Sequence, residues 1–323
     1  MKSPIHVPAT AKGERLDIFL TSEWSEFTRS NIAKRIKAGE VFVNDKPASV
    51  HQFLKEGDVI RVEVPKASAP RSKYSTAASK GPAPKLQIIE ETEDWIVLVK
   101  PVGVVVHPDT RHETGTLVDA LLAHYPAMAK IGEDPQRPGI MHRLDKEVGG
   151  LMVVAKTQFA FDHLKKQFAE HSVDKRYLAL VYGEMRMDEG DIKFRIGRST
   201  SMGRMAAKPV ESKEGKAAWT HYKTLQRFHN ASLLELTILS GRTHQIRAHL
   251  FAFSHPVIGD PLYTRSNLPR NIKAPHTLLQ SVHLAFKDPK TEELRTFTIP
   301  QSAAITELIT EISSKISSTS TKS

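Results

Sequence analysis

Cysteine is absent from all 323 residues, which excludes a disulfide framework, a thiolate nucleophile and any cysteine-ligated zinc site. Long apolar runs are missing too. None approaches the roughly 18 residues of a membrane span, and the first dozen residues lack the apolar core of a signal peptide. A cytoplasmic protein with no membrane partner is therefore expected. There is no Walker-type or dinucleotide-binding glycine loop, so nothing in the sequence calls for a nucleotide cofactor. No internal repeat of solenoid period stands out. What is present in quantity is charge: 46 Lys and Arg stand against 36 Asp and Glu, a formal net charge of +10 at neutral pH. That balance favours a polyanionic partner. No strongly amphipathic basic helix offers itself to a membrane surface, which leaves nucleic acid as the expected polyanion.

The length leaves room for two domains. In residues 13–65, Leu16, Phe19, Leu20 and Trp24 recur at helical spacing, and a second, basic helix from about Thr28 turns Ile32 and Ile36 inward. Gly39 ends it. Val41 and Val43 alternate as a strand, Asn44-Asp45 supply turn chemistry, and Gly57-Asp58 lead into Ile60, Val62 and Val64 as a second alternating strand. This predicts two helices followed by a hairpin. Arg29, Lys34, Arg35 and Lys37 crowd onto or beside the second helix, a density of cations suited to phosphate contact. Residues 66–85 are rich in Pro, Ser, Ala and cations with almost nothing to bury, and read as a flexible linker.

From residue 86 the pattern turns globular. Trp95 to Val99 reads as a strand, Pro101 to Pro108 as a loop, and Thr116 to Tyr125 as a helix. Phe161, Leu164 and Phe168 mark another helix, and Arg176 to Tyr182 and Leu233 to Leu239 mark strands. Helices and strands mix without strict alternation, which predicts an α+β fold with a mixed or antiparallel sheet. Ile305, Leu308, Ile309 and Ile312 outline a closing helix, so this domain is expected over 86–312. A disordered tail is expected over 313–323.

The chain is organised around Met141 to Thr157. Gly150 to Ala155 is nearly continuous in apolar residues and reads as a strand buried on both faces, which would hold its entrance loop rigid. Asp145 lies on that loop, His142 and Arg143 add donors beside it, and Gly149 and Gly150 let another backbone approach closely. The string His-Arg-Leu-Asp-Lys, followed by Gly-Leu and an apolar run ending in Ala-Lys-Thr, resembles the active-site motif of the RluA/RluD family of pseudouridine synthases. The resemblance implies that Asp145 is the catalytic residue. It departs from the family at Val148-Gly149-Gly150, where Thr-Ser-Gly or Thr-Thr-Gly is usual.

Two further clusters offer partners. Lys175-Arg176-Tyr177 heads a strand, and the resemblance gives Tyr177 a contact with the target base. Leu239 to Leu250 runs from a strand into a helix, with Gly241 for the turn, Thr243 as a cap and Arg247 one turn in. Its string Gly-Arg-Thr-His-Gln-Ile-Arg-Ala-His resembles a further motif of the family, in which the arginine matching Arg247 pairs with the catalytic Asp. Arg242 and Arg143 are expected to bind RNA with His142. His244 and His249 invite a metal, but five residues on a helix rotate about 140° apart, which does not suit a chelating pair; no metal is expected. Ser254 to Tyr263 and Val99 to Pro108 resemble the family as well. The N-terminal unit looks like the ribosomal protein S-four type of RNA-binding domain, with Arg29, Arg35 and Lys37 as its RNA contacts.

The resemblance implies isomerisation of uridine to pseudouridine: the bond from ribose carbon 1′ to base nitrogen 1 breaks, the base turns, and it reattaches through carbon 5. One ionised carboxylate can serve by attacking the sugar, attacking the base, or abstracting a ribose proton. A buried Asp tends towards the neutral form, and an arginine alongside reverses that. A stacked uridine must be flipped out, which suits an aromatic face and a cation such as Tyr177 and Arg143. No cofactor is implied. The substrate implied by the resemblance is 23S, large-subunit ribosomal RNA or a pre-ribosomal particle, with tRNA as alternative and, in another class, a catalytically inactive ribosome-assembly factor. A monomer is expected.

Overall fold

Strand pairing starts upstream of residue 13, where the first unit was expected to begin. In the computed structural model, which describes residues 4–24, 29–62, 83–109, 112–199, 203–269 and 272–319, β1 (Ile5–His6) already belongs to a sheet. It is followed by α1 (Leu16–Glu23), α2 (Arg29–Lys37), β2 (Val41–Val43), β3 (Lys46–Pro47) and β4 (Val59–Val62). The sheet order is β1-β4-β2-β3. Val7 and Ala11 join Leu16, Leu20, Ile32, Ile36, Val41, Val43 and Ile60 in one core, so the unit cannot be cut at residue 13 without opening it. Asn44 and Asp45 both have positive φ, 51° and 61°, the two-residue turn whose twist suits a hairpin. Asn44 then ties that turn to β4: its side chain donates to Asp58 at 2.7 Å and accepts from Val59 N at 2.9 Å. Val64 lies outside the described residues, as does most of the expected linker; the division between the two units falls between Ala77 and Ala78.

The second unit opens with β5 (Gln87–Glu91), β6 (Trp95–Lys100) and α3 (Leu117–His124). Next come β7 (Gly149–Ala155), α4 (Gln158–Ala169), β8 (Asp174–Tyr182), β9 (Glu189–Arg198), β10 (Met205–Lys208), β11 (Lys216–Phe228) and β12 (Ala231–Ile238). It closes with α5 (Gln245–Ala252), β13 (Leu279–Lys287), β14 (Leu294–Thr298) and α6 (Ala303–Thr319). The sheet runs β10-β9-β11-β12-β8-β13-β7-β6-β5, with β14 beside the far end of β13. Every pairing is antiparallel except β13 with β7, so the fold is α+β with a mixed sheet, as expected. Thr116 and Asp119 form a reciprocal capping box at the start of α3, which satisfies two otherwise orphaned donors. Leu164 and Phe168 of α4 pack on Trp95, Leu151, Val153 and Phe286, while Ile305, Leu308 and Ile312 of α6 pack on Leu180 and Leu233. α6 runs to Thr319 rather than ending at Ile312.

β7 is buried at all seven positions, which fixes the loop before it. The reason lies partly in Gly150, at φ +121°: a Cβ there would stand 2.1 Å from Ser281 O and 2.6 Å from Ser281 N. Those atoms are backbone, and the backbone belongs to β13, the parallel neighbour. Gly149 is less constrained, since its Cβ would meet Val102 Cγ2 at 3.0 Å and Lys100 O at 3.2 Å, tight contacts that need a shift of only a few tenths of an ångström. Gly150→Ala is therefore expected to destabilise the protein by about 3 kcal/mol or more, and Gly149→Ala by under about 1.5 kcal/mol. Denaturant unfolding of the two variants checks the order; equal losses would show that the close β7–β13 approach is not what holds the loop.

Candidate active site

Asp145 sits on the turn that enters β7, closed by Val148 N donating to Asp145 O at 3.1 Å. The next carbonyl, Lys146 O, accepts from Gly103 N at 2.8 Å and from Lys100 Nζ at 3.4 Å. Lys100 is fully buried, and its ammonium also donates to Pro101 O at 2.7 Å and Val104 O at 2.8 Å. Burial pushes Lys100 down to about 8, against the charges of Asp145 and Glu147, which hold it up. This lysine lies in a stretch that carried the family resemblance but was given no role; here it joins the Pro101–Val104 loop to the Asp145 turn.

Arg247 comes from the first turn of α5 and is 2% exposed. Its Nη1 donates to Asp145 Oδ2 at 3.0 Å, while Nε and Nη2 grip Asp260 at 2.6 and 2.8 Å. Asp260, whose side chain is fully buried, also accepts from Leu262 N at 2.9 Å and Tyr263 N at 3.0 Å. Sequence reasoning paired Arg247 with Asp145 and missed Asp260; its only signal was that Asp260 lies in the Ser254–Tyr263 stretch. Burial alone would lower the pKa of Arg247, but the hydrogen bonds and charge of Asp260, then those of Asp145, raise it. Burial likewise works to raise the carboxyl of Asp260, and Arg247 with the two backbone N–H groups overrides it and holds it below the ordinary carboxylate range.

Asp145 and Arg247 line a pocket with Arg143, Val148, Tyr177, Gly241, Arg242, Thr243, His244 and Gln245. Tyr177 faces it from β8, opposite Ser281 beside a register shift in β13, and its buried hydroxyl bonds with Ser281. Burial, then the charge of Asp145, raises the pKa of that hydroxyl. Arg242 is exposed at the pocket. Thr243 does not cap α5. The helix starts at Gln245 with His244 as its N-cap, and Gln245 reaches back instead, its Oε1 accepting from Arg242 N at 3.1 Å and Ser240 Oγ at 2.8 Å. Its amide nitrogen donates to Trp219 O at 3.0 Å, so this one side chain ties the turn to β11.

Arg143 is held by buried His107, whose Nδ1 lies 3.1 Å from Pro108 O and whose Nε2 lies 2.9 Å from Arg143 Nη1. A carbonyl only accepts, so His107 carries its proton on Nδ1 and accepts from Arg143. His142 is turned away from the pocket. Its Nε2 accepts from Val153 N at 3.1 Å, its ring stacks on Phe168 at 4.5 Å between centroids, and burial pushes it down to about 3. Neutral and inward, His142 braces β7, so its expected contact with RNA is not where the geometry puts it. His249 faces Thr220 Oγ1 at 3.0 Å and shares no partner with His244. In the N-terminal unit Lys37 is exposed and Arg35 stands 3.8 Å from Glu40, while the side chains of Arg29 and Lys34 lie outside the described residues.

Residues 94–252 match the family described as RNA pseudouridylate synthase, and residues 14–60 match the S4 domain. An uncharacterized RNA pseudouridine synthase of Synechocystis is 38% identical over 94% of this chain and 90% of its own length. The chain belongs to the RNA pseudouridine synthase family. A ribosomal large subunit pseudouridine synthase D of Neisseria meningitidis is 37% identical over 91% of this chain and 77% of its own. Among solved structures, human RNA pseudouridylate synthase domain containing 1 superposes with a TM-score of 0.55 at 26% identity, over 69% of this chain and 86% of that one. As a pseudouridine synthase the chain is an RNA-modifying isomerase, and its N-terminal unit is an S4 domain of the RNA-binding kind.

In this synthase Asp260 bears on both stability and position. Its pKa is depressed in the folded state, so its contribution is full above the unfolded value of about 3.9 and is lost as pH falls through the lower folded value. Asp260→Asn is expected to cost about 3 kcal/mol at neutral pH, because it leaves the Arg247 fork half unmatched in a buried site. The difference from wild type should shrink as pH drops below about 4, where wild type loses the same interaction. Urea unfolding at a series of pH values measures it; a difference independent of pH would show that the carboxylate's charge is not what matters.

Proposed function

We propose that this pseudouridine synthase isomerises specific uridines of large-subunit ribosomal RNA, with Asp145 as the reacting carboxylate. One observation carries the reading: Asp145 Oδ2 is held by buried Arg247 at 3.0 Å, while among the described residues Oδ1 has no hydrogen-bond partner. The carboxylate is thus aimed by one oxygen and open at the other, in a pocket that also holds Tyr177. Such preorganisation lets the charge act without rearranging its surroundings during reaction. Tyr177 receives the flipped base on its ring, and Arg143, steadied by His107, holds the displaced backbone or fills the gap left in the stack. The ribosomal substrate rests on the names of relatives such as the Neisseria enzyme together with the S4 domain. Action in the cytoplasm follows from that substrate.

Asp260 is a second carboxylate beside Arg247, but it does not favour a two-carboxylate hydrolase. Asp260 has no exposed side-chain surface and both its oxygens are engaged. Asp145→Asn keeps the size and removes the charge. It is expected to abolish pseudouridine formation, to below about one per cent of wild type, with RNA affinity kept. Mapping pseudouridine in ribosomal and transfer RNA from cells carrying wild type, Asp145→Asn or no gene tests both parts. Sites lost only from tRNA would redirect the substrate, and sites retained with Asp145→Asn would overturn the role of the carboxylate.

The basic helix α2 supplies the sequence-tolerant part of binding. Replacing Arg29, Arg35 and Lys37 together by glutamine is expected to flatten the slope of log affinity against log salt by roughly two to three units, at close to one unit per phosphate contact. The rate at saturating RNA should be unchanged. Filter binding across a salt series measures the slope; an unaltered slope would remove this helix from the RNA interface.

A further inference from the structure

His244 lines the pocket beside Asp145. It is the N-cap of α5 in a left-handed conformation, φ 55°, which a residue other than glycine adopts at a cost and which tends to persist where the position serves a site. Its Nδ1 lies 3.1 Å from Tyr263 Oη, and Tyr263 Oη in turn donates to Met205 O at 2.8 Å. Since the tyrosine's single proton goes to a carbonyl, its oxygen must accept from His244, and the imidazole proton therefore sits on Nδ1. That leaves Nε2 as a lone-pair acceptor. Burial, then the charges of Arg247 and Arg143, lower the pKa of the ring against the pull of Asp145 and Asp260.

Nε2 stands 3.8 Å from Asp145 Oδ2, both groups line the same pocket, and among the described residues no donor reaches Nε2. Two acceptors facing one pocket at that spacing call for a donor from outside. If Asp145 addresses the glycosidic carbon of a uridine, the neighbouring ribose carbon carries the only hydroxyl close to that bond in an RNA chain. We propose that His244 Nε2 accepts a hydrogen bond from the 2′-hydroxyl of the target uridine, setting the ribose against Asp145 and making the pocket select RNA over DNA. This rests on the reading of Asp145 and a flipped uridine given above. A 2′-hydroxyl is the group by which a protein tells the two nucleic acids apart at a single nucleotide, and here the chain meets it with an acceptor whose tautomer is latched from behind. Tyr263 is then a positioning residue, acting through His244.

The test is a cycle between protein and substrate. An RNA fragment spanning a uridine that wild type modifies is prepared with that one nucleotide as ribose or as 2′-deoxyribose, and single-turnover rates are measured. In wild type the 2′-deoxy substrate is expected to react about tenfold more slowly or worse, the size of one lost hydrogen bond that leaves an unpaired acceptor. In His244→Asn, which tolerates the left-handed turn but is too short to reach, the two substrates should react within about twofold of one another. Tyr263→Phe, which frees the tautomer, should shrink the penalty part of the way and serves as the second variant if His244→Asn does not fold. A full tenfold penalty in both variants overturns the proposal. So does a penalty for a 3-methylated target base that disappears in His244→Asn, since that places the ring on the base. Asp145→Asn is assayed alongside: if it stays active, the reading of the site falls and the proposal with it, whereas an inactive Asp145→Asn with an additive His244 cycle overturns the proposal alone.

Discussion

The site depends on how one guanidinium is divided. Arg247 gives two N–H groups to Asp260 and one to Asp145, and Asp260 is itself fastened by the backbone at Leu262 and Tyr263. The planar fork passes that backbone geometry on to the carboxylate of Asp145, 102 residues from Arg247 in sequence. An ammonium has no such fork. A buried ion pair is a poor source of net stability, because desolvation offsets most of the attraction; what the trio supplies is direction. With one cation between two carboxylates it keeps a net negative charge, and Asp145 is where that charge meets the pocket.

The other side of the Asp145 turn is held by backbone. Lys100 spends its buried ammonium on the carbonyls of Pro101, Val104 and Lys146, and Gly103 N adds a second bond to Lys146 O. Behind it β7 closes on β13 so tightly that residue 150 has no room for a Cβ. The same segment of β13 slips register at Ser281, and irregularities of that kind re-aim side chains beside active sites; here the side chain aimed is that of Tyr177. The chain lacks the hydroxyls usual at positions 148 and 149 of the RluA/RluD pattern. Its turn is nonetheless fixed, through Lys100, Gly103 and the Val148 N bond to Asp145 O.

Those contacts also mark what a sequence can and cannot convey. β7 was legible because burial on both faces writes an unbroken apolar run, and the Asn44-Asp45 turn because positive φ selects few residue types. β9 to β11 were not. In β11, Trp219 and Leu225 point outward at 37% and 46% exposed while Thr220 is fully buried, so the alternation that marks a strand is inverted. Asp145 and Arg247 were brought together by motif resemblance, and geometry agrees with the pairing. Asp260 was invisible, because a carboxylate in a loop reads as solvated until its partner is known. His142 failed for the opposite reason: standing beside Asp145 in sequence suggested a shared task, yet in extended chain successive side chains face opposite ways, and His142 faces Val153 and Phe168. Gln245 took the role expected of Thr243, since a glutamine two positions further along could close the turn from inside the helix.

A net negative trio beneath exposed arginines, in a chain with ten excess positive charges, is less contradictory than it looks. The partner's charge lies on its phosphates, whereas the base and sugar that must enter the pocket are neutral. The chain separates the two accordingly. Arg242 and Arg143 stand exposed at the pocket, where phosphates can remain solvated and paired, and only beyond them does the surface turn to Tyr177, His244 and Asp145. Flipping a nucleotide costs a few kcal/mol, and cations at the rim offset part of that by binding the distorted backbone. The carboxylate gains as well. Phosphate kept at the rim is phosphate kept from repelling Asp145, so Arg247 has two carboxylates to neutralise and no third anion, and the geometry set by Asp260 survives the arrival of the RNA.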